Sequence, residues 1–260
     1  YVVVTAFTAV IHFLYLLYTS IRKKSIKNKE GTMEILIGVF ILSIIILLIG
    51  FDVKLKKIKE LKEINFDEEN IKLVEKLPSN IKICKEILEK FKNENVKIEC
   101  DENSNSSYYI VLSNKIIIGN VNKSFTRIQT VIHECIHSVQ NRKILLANYV
   151  LSNLNNLYFL ALIILGIINK TSEYTNNILL ATFVSLQFIA FSIRSFLELD
   201  AMIRAEYETD KYLENKTKNK DEIMSKYKKI NKTGIKLYIC SLLLKALAKI
   251  FIINILAKYS

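Results

Sequence analysis

The sequence predicts a mostly α-helical membrane protein, with about five apolar helices and a small α+β domain. Of its 260 residues, 51% are hydrophobic, yet 37 Lys and Arg against 25 Asp and Glu give a formal net charge of +12. So many apolar and basic residues must be separated along the chain, as in membrane proteins whose apolar spans have basic flanks. A single proline and six glycines suit a largely helical chain.

Two apolar runs open the chain and predict an N-terminal membrane segment, residues 1–51. Residues 1–19 carry no charge, and a second run covers residues 33–51. A helix that crosses the bilayer core needs ~20 apolar residues. A cleaved signal peptide is the weaker interpretation of the first run, because a basic front and a small-residue cleavage site are lacking. His12 lies inside this run, where we expect it to pack against neighbouring helices.

The polar region, residues 52–143, predicts the small α+β domain. Residues 55–64 and 81–91 show the apolar spacing of amphipathic helices. We expect the inward side chains to be Leu55, Ile58, Leu61 and Ile64 in the first helix, and Ile81, Cys84, Ile87, Leu88 and Phe91 in the second. Residues 96–100 predict a strand. Two β-branched runs on either side of residues 113–115 predict a β-hairpin.

Beyond the polar region, residues 144–197 predict a membrane helical hairpin built from the runs 144–169 and 178–197. A basic segment follows at 198–234, and a fifth run closes the chain within 235–260. That run contains Lys245 and Lys249, one helical turn apart. It therefore suits either a helix that lines a polar interior or one that lies in the membrane interface.

The distribution of Lys and Arg predicts the orientation of the hairpin. Segment 198–234 is rich in both, whereas the connector 170–177 carries one Lys. By the positive-inside rule, the basic segment and the polar domain lie on the cytoplasmic face. The basic loop after the first run opposes this orientation, because two full spans would place that loop outside.

Composition also bears on partners and compartment. The lysines lie in loops at the ends of apolar runs, with no basic patch among stacking aromatics, so we expect a lipid bilayer as partner and no nucleic acid. The four cysteines form no C-x-x-C pair. They are expected to be free buried thiols in a reducing compartment.

The stretch VIHECIHSVQ, residues 131–140, contains the pattern H-E-x-x-H. Two of the three histidines in the chain, His133 and His137, lie here. Positions i and i+4 share one helical face, so both imidazoles can bind one metal ion. Glu134 then lies close enough to take a proton from a zinc-activated water. The pattern predicts a Zn²⁺ site with Glu134 as general base.

A catalytic zinc site has three protein ligands. No further histidine follows the motif, so the third ligand is expected to be a carboxylate. The hairpin 144–197 returns the chain to the face where it left, and Glu198 appears where the fourth apolar run, 178–197, ends. Glu206 is the competing candidate, with Asp210 four residues further as a possible outer partner.

The motif and its surroundings resemble the membrane-bound neutral zinc metallopeptidases (YugP-like proteins), and more distantly the HtpX-like gluzincins and CAAX-prenyl peptidases. The family pattern H-E-x-G-H-A-x-Q is matched at His133, Glu134, His137 and Gln140. Its E-F-[DN]-A-S-x-R-A is matched at Glu198, Asp200, Ala201, Arg204 and Ala205. The resemblance spans about residues 80–206. It implies a zincin-like domain with Glu198 as the third zinc ligand. Ile136 and Ser138 stand where the family has Gly and Ala.

Together these features predict an integral-membrane zinc metalloendopeptidase with its site on the cytoplasmic face, acting on membrane-associated proteins or peptides. The alternative is a non-catalytic membrane scaffold or metal-dependent regulator that keeps the metal, motivated by the two departures from the family pattern. Strand residues 116–118 are candidates for pairing with an extended substrate. Candidates for stabilising an oxyanion, none favoured over the others, are Tyr108, Tyr109, Tyr207 and Arg204.

Overall fold

Helices dominate the chain, which a computed structural model describes over residues 29–168 and 172–259. The helices are α1 (Lys29–Gly50), α2 (Leu55–Phe66), α3 (Glu68–Glu75), α4 (Asn80–Lys90), α5 (Arg127–Val139), α6 (Arg142–Ile168), α7 (Glu173–Leu213) and α8 (Lys220–Tyr259). Three short strands lie between α4 and α5: β1 (Lys97–Asp101), β2 (Tyr108–Ile110) and β3 (Lys115–Gly119). The predicted first run, 1–19, and His12 fall outside the described residues.

Two compact units divide the chain. Of the described residues, the helical unit comprises 29–53, 150–168, 172–192 and 236–259, and the mixed unit comprises Lys54–Tyr149 and Ile193–Ile235. The long helices α7 and α8 contain 41 and 40 residues, about twice the ~20 that the bilayer core requires. Each contributes one part to each unit. Neither boundary of the predicted segment 198–234 coincides with a helix end. Residue 198 lies inside α7, and residue 234 lies inside α8.

Within the described residues, three helices are long and apolar enough to cross a membrane: Arg142–Ile168, Tyr174–Leu213 and Lys220–Leu256. A fourth span is counted if Glu34–Gly50 and Leu55–Phe66, separated by a bend, form one. The expectation of about five apolar helices is thus met in part. The predicted run 33–51 forms most of α1, which qualifies as a membrane span only together with the helix after the bend.

The core of the helical unit forms where aromatic and aliphatic side chains of α6, α7 and α8 meet. Leu162, Phe183 and Ile253 are buried together, and the rings of Phe159 and Phe183 stack with centroids 5.8 Å apart. At Gly166, an added Cβ would lie 2.9 Å from the Cβ of Leu256. A glycine is needed there because the two helices approach closely.

The two lysines of the final run have different environments. Lys249 donates a hydrogen bond from Nζ to Asn156 Oδ1 at 2.7 Å and lies over the Phe159 ring. Lys245 is exposed. One of the two therefore has a polar partner on α6, while the other is directed outward.

A three-stranded sheet of order β1-β3-β2 forms the β part of the mixed unit. β1 pairs with β3 in parallel, and β2 pairs with β3 antiparallel, with Tyr109 opposite Ile116. The predicted strand and hairpin are both confirmed. Asn114 closes the turn with φ of 48°, in the left-handed region that Asn tolerates better than most residues. Ile116 and Ile118 are two residues apart in the strand and therefore lie on the same face, which is buried in the core.

The two predicted amphipathic helices before the sheet form as α2 and α4, but their inward faces differ from the prediction. On α2, Leu55 is the first helical residue and is 86% exposed, so it does not point inward, whereas Ile64 packs against the core of the mixed unit. On α4, Cys84, Ile87 and Leu88 are buried, but Ile81 is 42% exposed and Ile83 takes the inward position. Ile83 is buried in place of Ile81 because Ile83, Ile87 and Leu88 lie on one face of α4 and form a continuous apolar stripe. The helix α3 was not predicted. It begins at Glu68, and the N-cap before it is Asp67, whose side chain accepts a hydrogen bond from the backbone N–H of Asn70.

The motif helix α5 lies at the centre of the mixed unit. One face consists of residues with no exposed surface: Ile128, Val131, Ile132, Cys135 and Ile136. Its first residue, Arg127, is also buried, and its guanidinium donates hydrogen bonds to the carbonyls of Val74, Leu77 and Pro78 and to Asn80 Oδ1. Burial lowers the pKa of Arg127. These contacts connect the start of α5 to the end of α3.

Loss of the Arg127 guanidinium should therefore destabilise the mixed unit. In Arg127→Ala, the carbonyls at the end of α3 remain buried without a donor, and the free energy of unfolding should fall by more than about 2 kcal/mol. Denaturant unfolding in detergent, followed by circular dichroism, measures the change. The exposed Lys123→Ala, four residues earlier, is the matched control. Equal stability of the two variants would contradict a role for Arg127 in the fold.

Candidate metal centre

The helix that carries the motif is held at both ends by side chains. Before its first residue, Asn65 Oδ1 accepts hydrogen bonds from the backbone N–H and hydroxyl of Thr126 and from the hydroxyl of Ser124. At its last turn, Asn93 Nδ2 donates to the carbonyl and hydroxyl oxygens of Ser138. Because its apolar face is buried in the core and both its ends are held, the rotation of α5 about its axis is fixed, and so is the direction of its polar face. That face carries His133, Glu134 and His137.

The two histidines and Glu198 meet at one point. His133 Nε2 and His137 Nε2 are 3.0 Å apart, and Glu198 Oε2 lies 3.5 Å from the first and 3.7 Å from the second. These three form the only group of its kind among the described residues, with ligand atoms all within 4.8 Å of one another. Ligands at ~2.0–2.1 Å in a tetrahedron are separated by about 3.4 Å. The observed separations lie on either side of this value, so the group fits a zinc-sized ion.

Glu198 reaches the histidines because of the helix face on which it lies. Ala201 and Ala205 follow it at i+3 and i+7, and both are fully buried in the same core cluster as Ile132 and Ile136 of α5. Residues at these spacings share one face. The small side chains of the two alanines permit a close approach of α5 and α7. Glu198, on the same face of α7, therefore lies near the two histidines.

The competing carboxylates lie elsewhere. Glu206 Oε2 accepts a hydrogen bond from Asn231 Nδ2 at 2.7 Å, and Asp210 forms an ion pair with Lys220 at 3.3 Å. Neither residue belongs to the group that His133 and His137 form. The structure therefore brings together Glu198, and not Glu206, with the two histidines.

The general-base candidate Glu134 is 7% exposed. Burial raises the pKa of its carboxyl group, and the charge of Glu198 adds to this effect, whereas His133, His137 and the backbone N–H of Tyr109 oppose it. A carboxylate with a raised pKa is a better proton acceptor than an exposed one near neutral pH. The pKa of Glu134 is therefore shifted toward neutral pH at a position next to the candidate metal ligand His133.

The pKa of His137 results from opposing influences. Burial lowers it, but Glu198 and Glu134, with a smaller contribution from Gln140, outweigh burial and raise the pKa above its ordinary value. Two carboxylates and two imidazoles in one half-buried cluster form a strongly negative environment when the histidines are neutral. A divalent cation at the centre would balance this charge.

A residue that sequence reasoning gave no role lies beside the ligands. Gln140 Oε1 is 2.8 Å from His137 Nδ1, and Gln140 Nε2 donates to the carbonyl of Leu197 and to Asp200 Oδ2, each at 2.8 Å. In the sequence, Gln140 and Asp200 were notable only as positions that match the family pattern. A Gln three residues after the second histidine, just past the helix end, is the signal that was available.

The remaining candidates have contacts away from the triad. The Tyr109 hydroxyl donates to Asn114 Oδ1, Arg204 Nη1 lies 3.5 Å from Asp200, and the ring of Tyr207 lies beneath Lys211 Nζ. Tyr108 is 42% exposed. These contacts favour none of the four as the residue that stabilises an oxyanion.

Strand residues 116–118 do not offer the free edge that was expected for substrate pairing. β3 is the central strand, and Ile116 and Ile117 pair with β1 on one side and β2 on the other. Their backbone groups are therefore used within the sheet. The two edge strands are β1 and β2, and β2 is the one that contacts α5, so an extended peptide near the motif helix would pair with β2.

Replacement of a ligand should abolish metal binding, while replacement of its neighbour should not. We expect wild-type protein to bind about one zinc per chain, and His137→Ala and Glu198→Gln to bind it more than ~100-fold more weakly, because each removes one of three ligands. Competition with a chromophoric chelator measures the affinity. Glu206→Gln is the matched control on the same helix. Weak binding by Glu206→Gln together with tight binding by Glu198→Gln would refute the assignment.

Comparison with known proteins adds no relative to this description. The chain matches no protein-family model, no curated protein and no solved structure. The chemistry of the site therefore follows from its own residues and their geometry.

Proposed function

We propose that the protein is an integral-membrane zinc metalloendopeptidase. The observation that carries this proposal is the convergence of His133, His137 and Glu198 beside the buried carboxylate of Glu134. Three protein ligands with a neighbouring base are the arrangement of catalytic zinc sites, whereas structural zinc sites use four protein ligands. A hydrolytic function is thus favoured over a purely structural metal.

The residues divide the work of hydrolysis between them. Zinc, when bound, polarises the substrate carbonyl and makes a water acidic enough to ionise near neutral pH. Glu134 accepts the proton of the attacking water and passes it to the departing amine, so that it is unprotonated again at the end of the cycle. The raised pKa of Glu134 suits both transfers, because the group must take and return one proton.

The membrane context supports a substrate class. The two long helices that serve both units, α7 and α8, are also two of the three helices apolar enough to span a bilayer. Glu198 is the residue directly after the apolar run 178–197. The proposed zinc ligand therefore lies next to the apolar part of α7. Membrane proteins and membrane-adjacent peptides are the substrates that such a site would meet.

The cytoplasmic face is the proposed side. The residues that follow the hairpin, 198–234, are rich in Lys and Arg, and the connector at 170–177 has one Lys. Basic loops are retained in the cytoplasm. The site belongs to the mixed unit, which includes Ile193–Ile235.

The two departures from the family pattern do not favour the non-catalytic alternative. Ile136 is fully buried in the core, and the Ser138 hydroxyl donates to the Cys135 carbonyl while it accepts from Asn93. Both side chains are used in packing α5, and neither contacts the three ligands. A scaffold or regulator that holds metal without cleavage is therefore an outcome of the test below.

Glu134→Gln should separate metal binding from catalysis. The amide keeps the size of the side chain but cannot accept a proton, so zinc affinity should stay within ~3-fold while cleavage falls by ~10²–10⁴. Purified protein in nanodiscs, loaded with zinc, is incubated with a peptide library made from membrane proteins. Mass spectrometry then counts the new amino termini.

Glu206→Gln, with the same change of side chain outside the triad, is the control and should cleave like wild type. New termini at equal levels with wild type and Glu134→Gln would rule out Glu134 as the base. If zinc-loaded wild type produces no new termini from membrane or soluble peptides, the protein is a metal-binding scaffold.

A further inference from the structure

One side chain connects the two helices that supply the ligands. Gln140 is the first residue after α5, and its extended backbone, with φ of −68° and ψ of 164°, takes the chain out of the helix. Its side chain uses both ends of the amide: the oxygen meets His137, and the nitrogen meets Leu197 and Asp200 of α7. All three distances are 2.8 Å.

The oxygen end determines how His137 is protonated. An amide oxygen can only accept a hydrogen bond, so the proton of the neutral imidazole must be on Nδ1. The lone pair is then on Nε2, the atom that faces His133 Nε2 and Glu198 Oε2. This is the tautomer that a metal-binding imidazole requires at this nitrogen.

The nitrogen end contacts the residues on both sides of the third ligand. Leu197, whose carbonyl accepts one hydrogen bond, directly precedes Glu198, and Asp200 follows it by two positions. Asp200 also lies 3.5 Å from Arg204 on the next turn. The amide of Gln140 is thus hydrogen-bonded to the turn of α7 that carries Glu198, although the two residues are 58 positions apart in the sequence.

We propose that Gln140 is a positioning residue, which selects the tautomer of His137 and sets the distance between the histidine pair and Glu198. The inference rests on the proposed metal site, since it concerns how that site is assembled. Without this contact, α5 and α7 would still share the apolar core of the mixed unit, but the ligand atoms would be free to separate. Outer partners of this kind typically change metal affinity by 10–100-fold.

The donor and acceptor pattern yields a test that general destabilisation cannot imitate. Gln140→Leu removes both contacts. Gln140→Glu keeps an acceptor for His137 but places a carboxylate against the carboxylate of Asp200. Combining it with Asp200→Asn supplies a donor on α7, so the hydrogen bond between the two helices is restored in the opposite direction.

Zinc affinity and the absorption spectrum of the cobalt-substituted protein are the two measurements, made on full-length protein in detergent. We expect Gln140→Leu to bind zinc ~10–100-fold more weakly than wild type, with an altered cobalt spectrum because the ligands are less well held. Gln140→Glu should also bind more weakly, and the double variant should bind at least ~3-fold more tightly than Gln140→Glu alone.

The matched control is Asn93→Ala, which removes two hydrogen bonds from the same end of α5 without touching a ligand. Its zinc affinity and cobalt spectrum should resemble those of wild type. The positioning role is overturned if Gln140→Leu matches Asn93→Ala in both measurements, or if Asp200→Asn gives no recovery in Gln140→Glu. Should Gln140→Leu fail to fold, the pair Gln140→Glu and Asp200→Asn still decides.

The same experiment distinguishes this inference from the proposed function. Tight zinc binding by wild type that is unaffected in every Gln140 variant would overturn the positioning role alone. Absence of zinc binding by wild type would overturn both. Cleavage by wild type with loss of zinc from Gln140→Leu supports both.

Discussion

The burial of one face of α5 is the constraint on which the site depends. Ile128, Ile132 and Ile136 have no exposed surface, and the histidines lie on the opposite side of the same helix. Rotation of α5 by even a quarter turn would expose isoleucines to solvent and bury the imidazoles in the core. Burial of each isoleucine contributes about 1.5–3 kcal/mol, so this orientation is strongly favoured. The ligand geometry is thus a consequence of hydrophobic packing.

Charge is what this packing has to accommodate. Glu134 is nearly inaccessible to solvent, and Glu198, whose side chain is 20% exposed, lies beside two imidazoles and acts electrostatically on Glu134. Carboxylates are rarely buried without a partner, because transfer of a charge from water is costly. A divalent cation would compensate both carboxylates at once. The cluster is therefore easier to understand as a metal site than as an ion-pair network that serves stability.

The long helix α7 combines an apolar segment, long enough to cross a membrane, with a polar segment that carries Glu198. α7 supplies apolar residues to the helical unit, and then Glu198, Ala201 and Ala205 to the mixed unit. Because the helix is continuous, the position of Glu198 along it is set by the backbone and its direction by the 3.6-residue period. Gln140 adds the specific contact that a pair of smooth, apolar helix faces lacks.

The sequence was enough to predict the strongly periodic elements and, within one helix, two of the three candidate metal ligands. H-E-x-x-H named His133, Glu134 and His137, since the spacing of a motif within one helix is a local property. Runs of β-branched residues predicted the hairpin, a short stretch at 96–100 predicted the strand, and the apolar runs predicted the helices that follow. From the residues alone, however, Glu198 and Glu206 were equal in kind, and only the resemblance to a family favoured Glu198. Which carboxylate turns toward the histidines is a matter of which face of α7 carries Ala201 and Ala205.

Contacts between residues distant in sequence became known only from the folded chain. Asn231 donates a hydrogen bond to Glu206, and Gln140 donates one to Asp200. β3 is the central strand of the sheet, and Ile83 is buried in place of Ile81. Each of these depends on which surfaces meet, and a pattern of a few residues contains no information about its partner. Local periodicity thus determined the helix that offers the metal ligands. Packing between helices determined how those ligands meet.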